Sequence, residues 1–386
     1  MTPTNLCVRC DWPINEHSDS EEHVIPNSIG GRLKVRGFIC ASCNNSTGET
    51  WDAALAKQLN FFCHFFGIVR ERGNPPPQPI MTTAGEHLLM QHGGGYTMRN
   101  PVYRSAQTEH GKQIQIVARD RREAEKMLKD VARKYPNQID IAAELAKATE
   151  SYTYPEGVQF HSSQIGGDLG GRSTVKTATA FAFHCRVPLD RCDMAIAYLR
   201  DEAAESVFGY YDETDLVDGR PAGVPIHCVA VAGDPATGML LGYVEYFGIW
   251  RVVVCLSQSY IGPPLARSYG LDPTNGETIA LQVKLPFSAG DIRAIYDYKK
   301  CSDEGMQRAF EEVVPTALRR HFEREKGRVI KDAVQYAFEN CGAKPEDVLT
   351  DEQIRRLAVL AVERMMPFMS RHAPQRPLRR QGQAKP

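Results

Sequence analysis

Apolar residues first fall into a regular pattern at Trp51, Leu55, Leu59, Phe62 and Phe66, one stripe at helical spacing. Before it, residues 1 to about 48 are short-phrased, polar and rich in turn formers. After it, "RGNPPPQP", Arg72 to Pro79, interrupts any regular structure and predicts a stiff extended linker. Further on, Gln113 to Val117 alternates as a strand, and Arg121 to Lys134 follows as an amphipathic helix. Residues 226 to 257 hold β-rich runs split by "GDPATG" and by Gly248, the pattern of an antiparallel meander. A further strand is expected from Thr278 to Leu285 after the turn "DPTNGE". "IGGDLGG", Ile165 to Gly171, reads as a flexible turn ahead of a helix starting near Ser173.

The last third is patterned for helices. Residues 304 to 340 predict one or two of them, and "TDEQIRRLAVLAVERMM" predicts another. Thr350 and Gln353 form a capping box there, with Ile354, Leu357, Ala358, Ala361 and Met365 on the expected buried face. The organisation expected is a module with its following helix over residues 1–71 and a linker over 72–79. An α+β domain of unassigned role over 80–340, a C-terminal helix over 341–370 and a basic, disordered tail over 371–386 follow. No internal repeat is visible.

Composition narrows the picture modestly. Of 386 residues, 42% are hydrophobic and 24% charged, which excludes a mostly disordered chain. A net charge of -1 gives no global attraction to nucleic acid or to an acidic membrane, so such a partner must meet a local patch. The opening "MTPTNLCVRC" has no secretory pattern, and no run of 18 apolar residues occurs. The expectation is a reduced, cytoplasmic compartment and no membrane partner, where paired Cys-x-x-Cys units more often hold metal than form disulfides.

Those pairs are the strongest local signal. Cys7, Cys10, Cys40 and Cys43 form two Cys-x-x-Cys turns, and two such turns facing each other complete a tetrahedral zinc site with no open position. A closed site is structural, and lets a segment with a meagre core fold. The other seven cysteines, Cys63, Cys185, Cys192, Cys228, Cys255, Cys301 and Cys341, are expected to be buried core residues.

Between the pairs stands "EEHVIPNSIGG", Glu21 to Gly31, and after Cys43 come Asn44 and Asn45. This order of "CVRC", "EHVIPNSIGG" and "CASCNNSTG" resembles the HNH endonuclease family in its zinc-stapled form, over about residues 7–52. The resemblance implies a ββα-metal fold and hydrolysis of phosphodiester bonds assisted by one divalent ion. Carried onto this chain, His23 is the general base, and Glu22 and Asn44 ligate Mg²⁺ or Mn²⁺, with Asn45 the alternative to Asn44. Pro26, Gly30 and Gly31 shape the loop. The family's middle asparagine is missing from "RLKVRGFIC", so Asn27 or a backbone carbonyl is left to orient His23. The ordinary reading of Asn44 and Asn45 is helix capping.

"RLKVR" alternates Arg32, Lys34 and Arg36 beside this loop, and these cations could contact phosphates. His184, His227 and His321 are isolated, and Tyr246 and Trp250 read as sheet packing. The resulting expectation is an α+β chain: a zinc-stapled ββα-metal module, then a larger α+β domain with antiparallel sheet and C-terminal helices. Its activity would be endonucleolytic, on DNA rather than RNA. The alternatives are a non-catalytic zinc module that binds nucleic acid or protein, and a nuclease effector triggered by a small molecule or protein through the large domain.

Overall fold

The structure is a computed structural model; it describes residues 5–109, 111–160, 165–346 and 348–372. The chain divides into two compact units. One runs up to Gln78 and takes in the stretch ending at His321; the other comprises Pro79–Phe160 and the residues from Phe322 on.

In the first unit the cysteine segment builds a short hairpin and a helix. β1 (Glu22–His23) pairs antiparallel with β2 (Lys34–Val35), with Glu22 opposite Val35 and His23 opposite Lys34. α1 (Ala41–Thr47) follows, and a π turn over Gly48–Asp52 leads into α2 (Ala53–Phe66). Trp51, Leu55, Leu59 and Phe66 of the predicted stripe are buried, and Phe62 lies edge-on to Trp250 at 4.3 Å between ring centroids. Gly67 closes α2 in the left-handed conformation at φ 70°, its N–H returning to the carbonyl of Cys63.

The expected meander is present as His227–Asp234, Met239–Tyr246 and Trp250–Ser257. It sits inside a six-stranded antiparallel sheet whose other members are Leu265–Asp272, Glu277–Ile279 and Phe208–Tyr210. The strand expected over Thr278–Leu285 is broken into Glu277–Ile279 and Gln282–Val283, which join different sheets.

α3 (Gly167–His184) lies on this sheet and is buried on every side from Gly170 to Ala182. It corrects the expected turn at "IGGDLGG": the glycines at 170 and 171 are helical. A Cβ at Gly170 would stand 2.9 Å from Gln58 Oε1, and one at Gly171 would stand 2.3 Å from Phe208 Cζ. Close approach of neighbouring elements, rather than a turn, is what these glycines serve.

The unit boundaries also differ from those expected. Val24, Ile25, Ile29, Phe38 and Ile39 of the hairpin region share one hydrophobic core with Val175 and Ala178 of α3 and with Val229 and Val244 of the sheet. Burial of apolar area is what holds a compact unit together, so the N-terminal segment groups with the sheet. Residues expected to form one domain over 80–340 are divided between the units. The proline stretch is tied down too: the Pro76 carbonyl accepts from Asn60 Nδ2 at 2.9 Å and lies 2.8 Å from His64 Nε2.

His227 fastens the two parts of this core. Its Nδ1 accepts the Phe247 N–H at 3.2 Å, so the ring proton is on Nε2, which donates to the Ile29 carbonyl at 2.8 Å. Burial pushes its pKa down to about 4, from an ordinary 6.5. The folded chain therefore refuses a proton that the unfolded chain takes up. Stability is complete above pH 6.5 and falls as pH drops toward 4, by about 3 kcal/mol for this group. Urea denaturation of wild type and His227→Gln at pH 7, 5 and 4 should show the gap between them narrowing as pH falls. A gap independent of pH would count against a buried neutral imidazole.

The second unit, taken alone, holds the hairpin Val102–Thr108 with Gly111–Val117, the expected helix Arg121–Lys134, and the helix Asp351–His372. Residues 303–340 form one helix, Asp303–Asn340, whose C-terminal part from Phe322 belongs here. The capping box is present: Thr350 Oγ1 accepts from the Gln353 N–H at 3.3 Å, and the Thr350 N–H donates to Gln353 Oε1 at 3.0 Å. The expected buried face is rotated, however. Ile354 is 49% exposed and Ala358 is exposed, while Phe368 is buried and stacks on Phe322. Aromatic packing sets the rotation of this helix. The tail expected to be disordered lies outside the described residues from 373 on. No described helix is long and apolar enough to cross a membrane.

Candidate active site

The four cysteines come together as two turns. Their Sγ atoms all lie within 4.8 Å of one another, Cys10 and Cys40 at 3.8 Å. Four thiolates at about 2.3 Å from a central zinc stand roughly 3.8 Å apart, so the cluster fits a structural Zn²⁺. Burial pushes the Cys7 thiol up, but the backbone N–H groups of Cys10, Cys40 and Arg9 outweigh it and bring the pKa down to about 7. Of the other seven cysteines, Cys63, Cys192, Cys228, Cys255 and Cys341 are buried, whereas Cys185 and Cys301 are partly exposed.

Between the turns, the loop is shaped by its proline and glycines. The Pro26 carbonyl accepts from the N–H groups of Ile29 and Gly31, at 3.1 and 3.2 Å. Gly30 has φ 99°, and a Cβ at Gly31 would fall 1.7 Å from the Ile25 carbonyl oxygen, so no other residue fits there. This turn and α1 face each other across a cleft of about 380 Å³. Its lining includes Glu22, His23, Asn27, Asn44 and Asp52. Asn44 and not Asn45 belongs to it: Asn45 is exposed, whereas the Asn44 side chain reaches Glu22 and donates to Ser20 Oγ at 3.2 Å.

Glu22 is 5% exposed, and its Oε1 lies 2.6 Å from Lys176 Nζ. The same ammonium lies 2.6 Å from Asp52 Oδ2, and Asp52 Oδ1 accepts from Ser173 Oγ at 2.6 Å. Burial pushes the Lys176 pKa down, but the carboxylates of Asp52 and Glu22 outweigh it and raise its pKa. One cation is shared by two acids, which leaves a negative charge in excess. Burial and the nearby Asp52 raise the pKa of Glu22 despite Lys176.

Glu22, Asn44 and Asp52 offer hard oxygen donors with excess negative charge, a set that suits Mg²⁺ or Mn²⁺. Neither Asp52 nor Lys176 was a sequence expectation. A lysine amid the small and apolar residues of "TVKTATAFA" was the available signal, since buried lysine is rare unless paired.

His23 is partly buried, and its Nε2 lies 2.8 Å from Glu71 Oε2. Asn27, expected to orient the imidazole, has other hydrogen bonds. Its Oδ1 accepts the Glu71 N–H at 3.0 Å, and its Nδ2 donates to the Arg72 carbonyl at 3.5 Å. Lys34 Nζ lies 3.1 Å from Glu71 and 3.2 Å from Glu21. Hydrogen bonds from His23 and Lys34 hold the Glu71 carboxyl below its ordinary range.

The cations of "RLKVR" are engaged within the protein. Arg32 donates to the Val69 carbonyl at 2.8 Å, Lys34 bridges Glu21 and Glu71, and Arg36 pairs with Glu21 at 3.3 Å. Arg36, with a side chain 66% exposed, presents more surface than Lys34 at 26%.

No curated protein and no solved structure matches the chain. Residues 7–60, which hold the cysteine cluster, the hairpin, α1 and the start of α2, match the HNH endonuclease family.

Proposed function

We propose that this chain is a metal-dependent endonuclease that hydrolyses phosphodiester bonds in nucleic acid, with DNA the substrate over RNA. The observation that carries the reading is the convergence of Glu22, His23 and Asn44 on one cleft within the matched segment. His23 takes the proton from the water that attacks the phosphorus, a task suited to an imidazole near neutral pH. Glu22, Asn44 and Asp52 would hold the divalent ion, which when bound supplies charge neutralisation at the scissile phosphate and the leaving oxygen. Arg36, with Lys34 and Arg32 on the same hairpin side, would position flanking phosphates. The zinc staple holds hairpin and helix in register without taking part in the chemistry.

Nicking of supercoiled plasmid in Mg²⁺ or Mn²⁺ tests this directly. His23→Ala is expected to cut on the order of 10²–10⁴-fold more slowly than wild type, the usual worth of a general base. Equal cutting by the variant would remove His23 from the mechanism.

A second reading, a zinc-stapled module that binds without cutting, is favoured by one observation. The Lys176 ammonium already contacts Glu22 and Asp52, the two carboxylates that would hold the divalent ion. It predicts retention of DNA by the wild-type protein with no nicking in either metal.

A further inference from the structure

We propose that Glu71 is the positioning residue of His23, supplying through its carboxylate the orientation that the family's missing middle asparagine would provide. The inference rests on the nuclease reading above and adds a residue outside the matched segment 7–60.

The geometry is built from the chain upward. Gly67 turns the backbone out of α2, and Ile68 is buried beneath the turn. The next residues are held along their backbone. The Val69 N–H donates to the Pro273 carbonyl at 2.9 Å, and the Val69 carbonyl accepts from Arg32. Asn27 then bonds the Glu71 N–H and the Arg72 carbonyl. Glu71 is thereby delivered to the hairpin, where His23 and Lys34 are directly paired residues on adjacent strands. Its Oε2 lies 2.8 Å from His23 Nε2 and 3.1 Å from Lys34 Nζ. Asn27 thus orients His23 through Glu71 rather than by touching the ring.

The chemical consequence is a choice of tautomer. A carboxylate can only accept, so Nε2 carries the proton and donates it to Glu71. Nδ1 is then the nitrogen with the lone pair, and it is the atom that takes a proton from water. When the ring becomes imidazolium, Nε2–H keeps its hydrogen bond to Glu71, and no rearrangement accompanies the transfer. The same logic applies to carboxylates that fix the ring of a working histidine elsewhere. His23 lines the cleft and Glu71 does not, which matches one residue that reacts and one that orients.

The test pairs kinetics with a spectroscopic readout of the ring. Full-length wild type, Glu71→Ala and Glu71→Gln are prepared with ¹⁵N-labelled histidine, and their zinc content and thermal midpoints are compared. Wild-type His23, observed at a pH where the ring is neutral, should show the Nε2–H tautomer. Glu71→Ala should show a mixture of tautomers and a kcat lowered about 10–100-fold with KM little changed. Glu71→Gln keeps an oxygen acceptor without the charge, so it should retain the Nε2–H tautomer and lose less kcat than Glu71→Ala. Wild-type tautomer and wild-type kcat in a folded, zinc-bound Glu71→Ala would overturn the proposal. If Glu71→Ala fails to fold, a wild-type kcat together with a mixed tautomer in Glu71→Gln would overturn it equally. If wild type itself does not cut, the nuclease reading fails, and the tautomer comparison still decides whether Glu71 sets the ring.

Discussion

Replacing Lys176 by methionine is expected to destabilise the protein by about 3–5 kcal/mol, the usual loss when one partner of a buried ion pair is removed. Methionine keeps most of the apolar stem and removes only the charge. The stem sits in the part of α3 that is buried on every side, Gly170 to Ala182, and the ammonium lies 2.6 Å from both Glu22 and Asp52. Without it, two carboxylates face each other in a poorly hydrated site, and one must take up a proton or the helix must move. Adding Glu22→Gln to Lys176→Met should recover part of the loss, because the remaining acid, Asp52, keeps its bond from Ser173. Mn²⁺ should raise the stability of the single variant more than that of wild type, since a cation bound there replaces the missing charge. Urea denaturation of the three proteins, with and without Mn²⁺, measures all of this. A loss under about 1 kcal/mol would mean that water reaches these acids and that the pair is not a buried one.

That prediction concerns a contact which no local pattern announces. The zinc turns and the hairpin loop were legible because their signals are short-range: cysteine spacing and a proline with two glycines. α1 opens at Ala41 with Cys40 before it, so Asn44 and Asn45 lie inside the helix and neither caps it. The helical stripe from Trp51 and the meander were legible from short-range signals too, since periodicity reports which side of an element is buried. What periodicity does not report is the partner. Lys176 stands far along the chain from Glu22, and the glycines ahead of it look like a turn because glycine disfavours helices. Only the close approach of Gln58 and Phe208 makes Gly170 and Gly171 the residues that fit. Glu71 was hidden differently. It sits beside a proline stretch that reads as linker, and its value depends on the backbone bonds that Asn27 makes to it. The misread face of the C-terminal helix has a comparable cause: the ring contact between Phe322 and Phe368 outweighs the aliphatic stripe that includes Ile354.

Removal of zinc should have the larger effect on the site, and it separates the two metal roles. Structural zinc contributes on the order of 10 kcal/mol to segments of this kind, far more than the hairpin could gain from its few pairs. β1 and β2 hold only Glu22–Val35 and His23–Lys34 in register, so the cysteine turns must hold the ends. Cys40 is central here: its N–H donates to Cys7 Sγ at 3.3 Å, and the next residue opens α1. Cys40→Ser is therefore expected to purify without zinc, to lose the protection of residues 7–47 in hydrogen exchange, and to lose cleavage. The loss of protection should stop short of the large sheet, whose own core includes Tyr243 and Val253 on the face packed by Ile292 and Ile295. Brief treatment of wild type with a chelator that strips only weakly held ions should instead abolish cutting reversibly, with Mg²⁺ or Mn²⁺ restoring it. Metal analysis giving about one zinc per chain in wild type and none in Cys40→Ser would fit this division. Unchanged exchange protection in a zinc-free variant would mean that the shared core alone holds hairpin and helix together. The cysteines would then be dispensable for the geometry that brings Glu22, His23 and Asn44 to one cleft.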